Sequence, residues 1–191
     1  MALDFDSARL HNSNLTAEHH EWRAQLRRFF DREVIPFAEQ WDEDGAIPDE
    51  LWPKSAAVGI LGLGYAEEFG GVSEGIDIWH KNILNEEMAR IAVGGISATL
   101  MVHSIGLPPV INFASDAIKQ DVTPQVLAGT KRISLAITEP GAGSDVAHLT
   151  TTARLDGDHY VVNGSKTYIT GGMNANWFTT AVRTGGEGAG G

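Results

Sequence analysis

The residues most suited to chemistry are those at 136–145, where a predicted buried strand breaks into a polar turn. The apolar run at 133–137 is followed by Thr138, Glu139 and Pro140, and then by two glycines, a serine and an aspartate. Such a turn exposes backbone N–H groups, and glycine allows a ligand to approach the main chain closely. The segment therefore indicates a site for an anionic or hydrogen-bonding cofactor. A second unusual segment, residues 168–172, ends another predicted strand.

Each polar residue in these segments also has a structural interpretation. Glu139 and Asp145 could form a catalytic pair, but acids in turns more often bind backbone N–H groups, which is the interpretation we favour. Thr138 and Ser144 could be ordinary turn hydroxyls, yet the surrounding motif favours contact with a cofactor. Tyr168 alone would be a strand aromatic on a core face, and only the Ile-Thr-Gly-Gly that follows it favours a cofactor role.

Two other glycine patterns give weaker signals. The glycines at 59–64 have the order G-x-x-G-x-G, which reverses the dinucleotide-binding fingerprint, and no βαβ pattern surrounds them. Residues 164–167, Gly-Ser-Lys-Thr, are similar to a phosphate loop but lack its first glycine, so they are interpreted as a hairpin turn. The seven histidines are scattered along the sequence, and no metal site is predicted.

Composition limits the classes of function. The chain has 191 residues, with 42% hydrophobic and 20% charged residues, which is typical of a soluble globular protein. Its net charge of −11 argues against nucleic-acid binding. The absence of cysteine excludes disulfides, thiolate nucleophiles and cysteine-bound metals. Without a presequence pattern, we expect a bacterial cytoplasmic location.

The stretch at 91–115 has no charged residue and is long enough to span a bilayer. It also contains a glycine pair, two adjacent prolines and several hydroxyl groups. These residues favour paired buried helices over a membrane span.

Hydrophobic periodicity predicts the elements that carry these segments. Helical spacing begins after Thr16, a predicted N-cap, and continues to Trp41, and Pro36 should end or kink this first helix. Further helices are predicted at 49–58, 78–91, one or two within 91–115, and 117–127 with an interruption at Pro124. After residue 129 the period becomes two, and Asp-Gly at 156–157 and Asn-Gly at 163–164 predict hairpins. Residues 184–191 are predicted to form an open glycine-rich loop.

The predicted class is therefore α+β. A helical domain, residues 1–130, should precede an antiparallel, barrel-like β-domain at 131–191 that looks incomplete.

Together these motifs resemble the acyl-CoA dehydrogenase family over nearly the whole chain. The motifs are residues 136–145, 158–170, 176–177 and 183–184, with weaker matches at 59–63, 67–71 and 86–87. The resemblance implies FAD, α,β-dehydrogenation of fatty or branched acyl-CoA thioesters in β-oxidation, electron transfer to an electron-transfer flavoprotein, and a homotetramer. The family pattern also has a third, C-terminal helical-bundle domain, and the resemblance implies that this domain is missing from the 191 residues.

The resemblance also implies roles for individual residues. The cofactor-binding set would be Leu135, Ile137, Thr138, Gly143, Ser144, Tyr168, Ile169 and Thr170. Thr138 and Thr170 would donate hydrogen bonds to the flavin, Tyr168 would pack on it, and Ser144 would also touch the CoA part of the substrate. No catalytic residue is assigned, because the catalytic glutamate belongs to the C-terminal domain, so the chain alone is expected not to turn over.

Two alternatives stay open. One is an acyl-CoA oxidase or flavin monooxygenase relative, and the other is a non-catalytic fragment that only binds partners.

Overall fold

The computed structural model describes residues 2–6 and 12–186, and the chain forms two compact units. The first, here called the helical unit, comprises Met1–Met101 and Ser115–Lys131. The second, the mixed unit, comprises Val102–Ala114 and Arg132–Gly191. The α+β class is confirmed. The predicted loop at 184–191 lies outside the described residues from position 187 onward.

The helices of the helical unit follow the predicted order, with one additional helix after Pro36 that was not predicted separately. They are α1 (Ala17–Glu33), α2 (Ala38–Asp44), α3 (Leu51–Ala57), α4 (Ile78–Ala89), α5 (Gly94–Leu100) and α7 (Asp116–Leu127). Helix α6 (His103–Phe113) belongs to the mixed unit. The core of the helical unit includes Leu26, Phe30 and Val34, which are fully buried on one face of the first helical segment. Burying such side chains stabilises the fold by about 1.5–3 kcal/mol each.

Helix α1 begins and ends where the sequence predicts. Thr16 is its N-cap: the hydroxyl accepts a hydrogen bond from the His19 amide, and the His19 ring accepts one from the Thr16 amide. This reciprocal capping box satisfies two amides that the first turn leaves open. The α-helix ends at Glu33, and Pro36 lies in a short 3₁₀ turn, Ile35–Phe37.

The predicted interruption of α7 at Pro124 is wrong. The helix continues through Pro124 to Leu127. Proline removes the amide that would bond to the carbonyl of Gln120, but Gln120 is exposed and water can satisfy that carbonyl.

The mixed unit contains four short strands: β1 (Ile133–Ala136), β2 (Thr152–Asp156), β3 (His159–Asn163) and β4 (Trp177–Thr180). Strands β2 and β3 form the antiparallel hairpin predicted from Asp-Gly, with Gly157 at φ 64°. Strands β1 and β4 pair in parallel, with Ile133 opposite Trp177. The described residues form these two two-stranded sheets and no closed barrel, so the barrel-like prediction is not confirmed. Alternation identifies strands, but it does not identify their partners.

The Asn-Gly turn at 163–164 predicts that a strand at 166–170 pairs with β3, and this prediction is wrong. Gly164 packs against Thr151, where an added Cβ would lie 2.3 Å from the Thr151 hydroxyl. The chain then runs beside the segment that follows β1, and the Thr167 amide donates to the Thr138 carbonyl over 2.9 Å.

Helix α6 packs on β1 within the mixed unit. The Thr179 hydroxyl donates to the Gly106 carbonyl over 2.7 Å, and an added Cβ at Gly106 would lie 3.3 Å from the Ile133 side chain. Of the described residues, one stretch, Gly94–Phe113, is apolar and long enough to cross a membrane, judged by length and composition only. The structure divides it into α5 and α6, as a pair of shorter helices would require.

Candidate functional site

The predicted cofactor segment leaves the sheet directly after β1. Glu139 and Ala142 exchange both backbone hydrogen bonds, at 2.8 and 3.1 Å, and close a turn with Pro140 and Gly141 at its corners. Proline at the first corner fits the fixed φ of such turns. Gly143 then follows in an exposed position, with no atom within 4 Å of where a Cβ would lie. The turn therefore presents open main chain.

The residues that lead into the second predicted segment are bonded to the first segment. The Lys166 ammonium donates to the Ile137 carbonyl over 2.8 Å, next to the bond between Thr167 and Thr138. Farther along, the Ser134 hydroxyl donates to the Thr170 carbonyl over 2.8 Å. Residues 137–139 and 166–170 therefore form one surface.

A buried ion pair lies beneath this surface. The Lys166 ammonium is 2.8 Å from Oε1 of Glu139, whose side chain is almost fully buried. Glu139 Oε2 accepts hydrogen bonds from both the amide and the hydroxyl of Thr150, and Oε1 accepts one from the Thr151 amide. The Lys166 ammonium and these threonine donors hold the pKa of Glu139 well below its usual range. Glu139 is therefore an ionised acceptor with its lone pairs occupied.

The structural interpretation of both turn acids is confirmed. Besides the contacts of Glu139, one carboxylate oxygen of Asp145 accepts the Ala147 amide over 3.2 Å, and the other lies 2.7 Å from His148 Nδ1. Residues 164–167 are not a phosphate-binding loop, because the Lys166 ammonium is already hydrogen-bonded to Glu139 and to the Ile137 carbonyl.

Tyr168 is unusual in both backbone and side chain. Its φ is 57°, in the left-handed region, and the residue is 91% exposed. Non-glycine residues in this conformation cost about 1–2 kcal/mol and concentrate at functional sites. The hydroxyls of Thr138, Ser144, Tyr168 and Thr170 make no hydrogen bond to a described residue. They remain available to a ligand.

The other predicted site residues have mixed exposure. Leu135, Ile137 and Ile169 are half-buried, whereas Ser144 is exposed. Ile169 packs against Gly172, where an added Cβ would lie 3.1 Å from the Ile169 Cβ. The apolar members of the predicted set are therefore only partly exposed to a ligand.

A histidine cluster in the helical unit was missed by the sequence analysis. His19 Nε2 and His80 Nδ1 lie 3.0 and 2.9 Å from the same oxygen of Asp77, so these histidines are not scattered. Asp77 is the N-cap of α4 and also accepts the amides of Trp79 and His80. The signal was the capping-box spacing in Thr-x-x-His and Asp-x-x-His.

The cluster is accounted for by helix capping. The hydrogen bond from His19, together with those from His80, holds the pKa of Asp77 well below its usual range. Helices α1 and α4 both direct their N-termini, which carry partial positive charge, at this cluster, and that charge disfavours a bound cation.

The family models decide the affiliation of the chain. Residues 16–130 match the N-terminal domain of acyl-CoA dehydrogenases, and residues 134–191 match the middle domain. The chain belongs to the acyl-CoA dehydrogenase family.

Sequence and structure comparisons with individual acyl-CoA dehydrogenases support the same assignment. The mitochondrial long-chain specific acyl-CoA dehydrogenase of Sus scrofa is 39% identical over 168 residues, covering 87% of this chain and 37% of that protein. A crystal structure from Mycobacterium smegmatis, classed with the acyl-CoA dehydrogenases, has 46% identity and a TM-score of 0.86, covering 93% of this chain and 46% of its own. Acyl-CoA dehydrogenase from Bacillus anthracis complexed with FAD has 30% identity and a TM-score of 0.80, covering 93% and 31%. The chain spans less than half the length of these relatives.

Proposed function

We propose that the mixed unit supplies one face of an FAD site in a protein that dehydrogenates acyl-CoA thioesters between their α and β carbons. Family membership supports the reaction class, and the FAD complex of the Bacillus anthracis relative supports the cofactor. The observation that carries the proposal is Tyr168. An exposed aromatic ring on a left-handed backbone, beside unbonded hydroxyls, fits a flat polar ring system better than it fits water.

The described residues fit a flavin chemically. Bound FAD would accept the hydride, and that transfer places negative charge on a ring edge that needs hydrogen-bond donors. The hydroxyls of Thr138 and Thr170 are neutral donors, so they stabilise such charge without adding a titrating group. Tyr168 would cover part of the ring and exclude water. Gly143 and Ser144 would hold phosphate through exposed amides and the serine hydroxyl, which would also contact CoA.

The α-proton needs a base that these segments do not supply. Glu139 is ionised but fully engaged by Lys166 and Thr150, and Asp145 caps the turn that follows it. We therefore assign the base to a glutamate in a C-terminal domain of the parent protein. An electron-transfer flavoprotein as acceptor, a homotetramer and a bacterial cytoplasmic location belong to the same proposal.

The test is FAD titration of the 191-residue chain, followed by anaerobic addition of a panel of acyl-CoA thioesters. We expect saturable binding, weakened in Tyr168→Ala and unchanged in Tyr160→Ala, an exposed tyrosine on the β3 strand. We expect no bleaching of the bound flavin, because the base is absent. Failure of the wild-type chain to bind FAD would contradict the assigned site, and clear bleaching would contradict the assignment of the base.

A further inference from the structure

We propose that Lys166, paired with Glu139, is the positioning residue of the flavin site, because it fixes residues 137–139 relative to residues 166–170. This inference rests on the proposed function for its flavin consequence. Its structural content is the coupling of two chain segments that bear the hydroxyls of Thr138 and Thr170.

The contacts of Lys166 surround Thr138. Its ammonium binds the Ile137 carbonyl and the Glu139 carboxylate, each over 2.8 Å, and these two residues flank Thr138 in the chain. The carbonyl of Thr138 itself accepts the Thr167 amide over 2.9 Å. Lys166 and Thr167 thus bind all three residues of the segment 137–139. The Thr138 main chain is held from behind, and its hydroxyl remains available to a ligand.

Burial makes these bonds effective. The side chains of Lys166 and Glu139 are 11% and 2% exposed, so water competes little for their hydrogen bonds. Glu139 is itself held by Thr150 and Thr151, which gives the lysine a fixed partner. The pair between Lys54 and Glu33 differs, because the Lys54 side chain is 55% exposed. Exposed pairs of that kind contribute little to stability.

The position of Tyr168 adds a second line of support. Lys166 and Thr167 anchor the chain on one side of it, and the bond from Ser134 to Thr170 anchors the other side. A left-handed backbone at a non-glycine residue persists only where its surroundings impose it. Lys166 supplies one of the two constraints, so its loss should let Tyr168 relax and turn its ring from the site.

The experiment compares Lys166→Met, Lys166→Arg and Glu139→Gln, with Lys54→Met as the matched control at an exposed pair. Hydrogen exchange of the Thr167 amide is measured without cofactor, and the Ala153 amide, bonded to the Arg183 carbonyl, serves as an internal reference. We expect exchange at Thr167 to accelerate roughly tenfold or more in Lys166→Met, because the Ile137 carbonyl and the buried Glu139 carboxylate both lose the lysine that holds them beside Thr138.

The size of the effect on Thr167 exchange and on FAD affinity should differ between the variants. Glu139→Gln should have a smaller effect than Lys166→Met, because the lysine keeps the Ile137 carbonyl and glutamine still offers an acceptor oxygen. The Kd for FAD should increase by about tenfold in Lys166→Met, and in Lys166→Arg it should stay within about threefold of the wild-type value. Lys54→Met should leave both measurements unchanged. Glu139→Gln and Lys166→Arg keep the test available if Lys166→Met does not fold.

Each contrary outcome identifies what fails. Unchanged exchange at Thr167 overturns the coupling, whatever happens to FAD. Faster exchange at Thr167 with an unchanged Kd for FAD overturns the role of Lys166 in positioning the flavin site. If the wild-type chain binds no FAD, the proposed function of the site and the flavin role of Lys166 both fail, and the exchange data alone decide the coupling.

Discussion

Two buried glutamates, Glu87 in the helical unit and Glu139 in the mixed unit, are held in different ways. Glu87 is completely buried and receives hydrogen bonds from Arg23, Arg27 and Arg90, at 2.9–3.3 Å. Burial by itself would raise the pKa of Glu87, but the hydrogen bonds from Arg27 and Arg23 more than offset it and lower that pKa. Its cationic partners lie on α1 or directly after α4, so the network joins regular helices.

Glu139 has one cationic partner, Lys166, and its other donors are the amides of Thr150 and Thr151 and the Thr150 hydroxyl. All of these residues lie outside the helices, beside the unbonded hydroxyls. The comparison indicates that the redundant network of Glu87 stabilises the fold, whereas the single pair of Glu139 sets the geometry of a site. The two carboxylates should therefore respond differently to the same substitution.

The largest effect is expected for Glu87→Gln. Removing this charge leaves three guanidinium groups around a neutral amide, and breaking a buried ion pair costs about 3–5 kcal/mol of unfolding free energy. Urea unfolding measures the change. Glu86→Gln is the matched control: its side chain is 48% exposed and contacts Arg23, so a loss below about 1 kcal/mol is expected. Equal losses in the two variants would remove the distinction between a buried network and a surface pair.

A smaller effect is expected in the pH dependence of stability. The folded-state pKa values of Glu87 and Glu139 lie below the ordinary value of 4.5. The unfolded chain therefore takes up protons first as the pH falls through about 4.5. The stability that both carboxylates contribute is present above that pH and lost below it.

Urea midpoints measured from pH 7 to pH 3 should fall in the wild type and fall less in Glu87→Gln and Glu139→Gln. Part of the decline should persist in both variants, because hydrogen bonds from Ser73 lower the pKa of Glu67 to about 2. An unchanged decline in both variants would show that these two carboxylates do not control acid stability.

The smallest effect on stability is expected for Tyr168→Asn. Asparagine tolerates the left-handed backbone better than tyrosine, and the exposed ring makes few contacts, so unfolding free energy should stay equal or rise by up to about 1 kcal/mol. FAD affinity should nevertheless fall. A matched Tyr160→Asn variant on β3 should leave FAD affinity unchanged. A loss of stability in Tyr168→Asn would show that the tyrosine is a structural residue.

The sequence predicted the elements of the fold better than their pairing. Periodicity located the helices, and the cap at Thr16 and the Asp-Gly turn at 156–157 were predicted correctly because each depends on neighbouring residues. The parallel pairing of β1 and β4 was not predicted. It depends on contacts between Arg132 and Asn176, which are 44 positions apart and exchange backbone and side-chain hydrogen bonds. Single-sequence patterns carry no information at that separation.

For the candidate site, too, the sequence predicted the segments better than the contacts between them. The motif identified the segments at 136–145 and 168–172, and Thr167, directly before the second segment, bonds to Thr138 in the first. The sequence did not reveal the partner of Lys166, because its Gly-Ser-Lys-Thr context suggested only a turn. It also did not reveal the left-handed backbone of Tyr168, because tyrosine gives no local signal for a positive φ.

The ion network of Glu87 has a consequence for synthesis on the ribosome. Arg27 is made 60 residues before the glutamate that it binds. At cellular rates of about 5–20 residues per second, roughly 3–12 s pass between them. During that interval α1 emerges with its cations facing an acceptor that does not yet exist. We expect nascent chains arrested before Glu87 to leave the amides of α1 open to exchange, and chains arrested after α4 has left the exit tunnel to protect them.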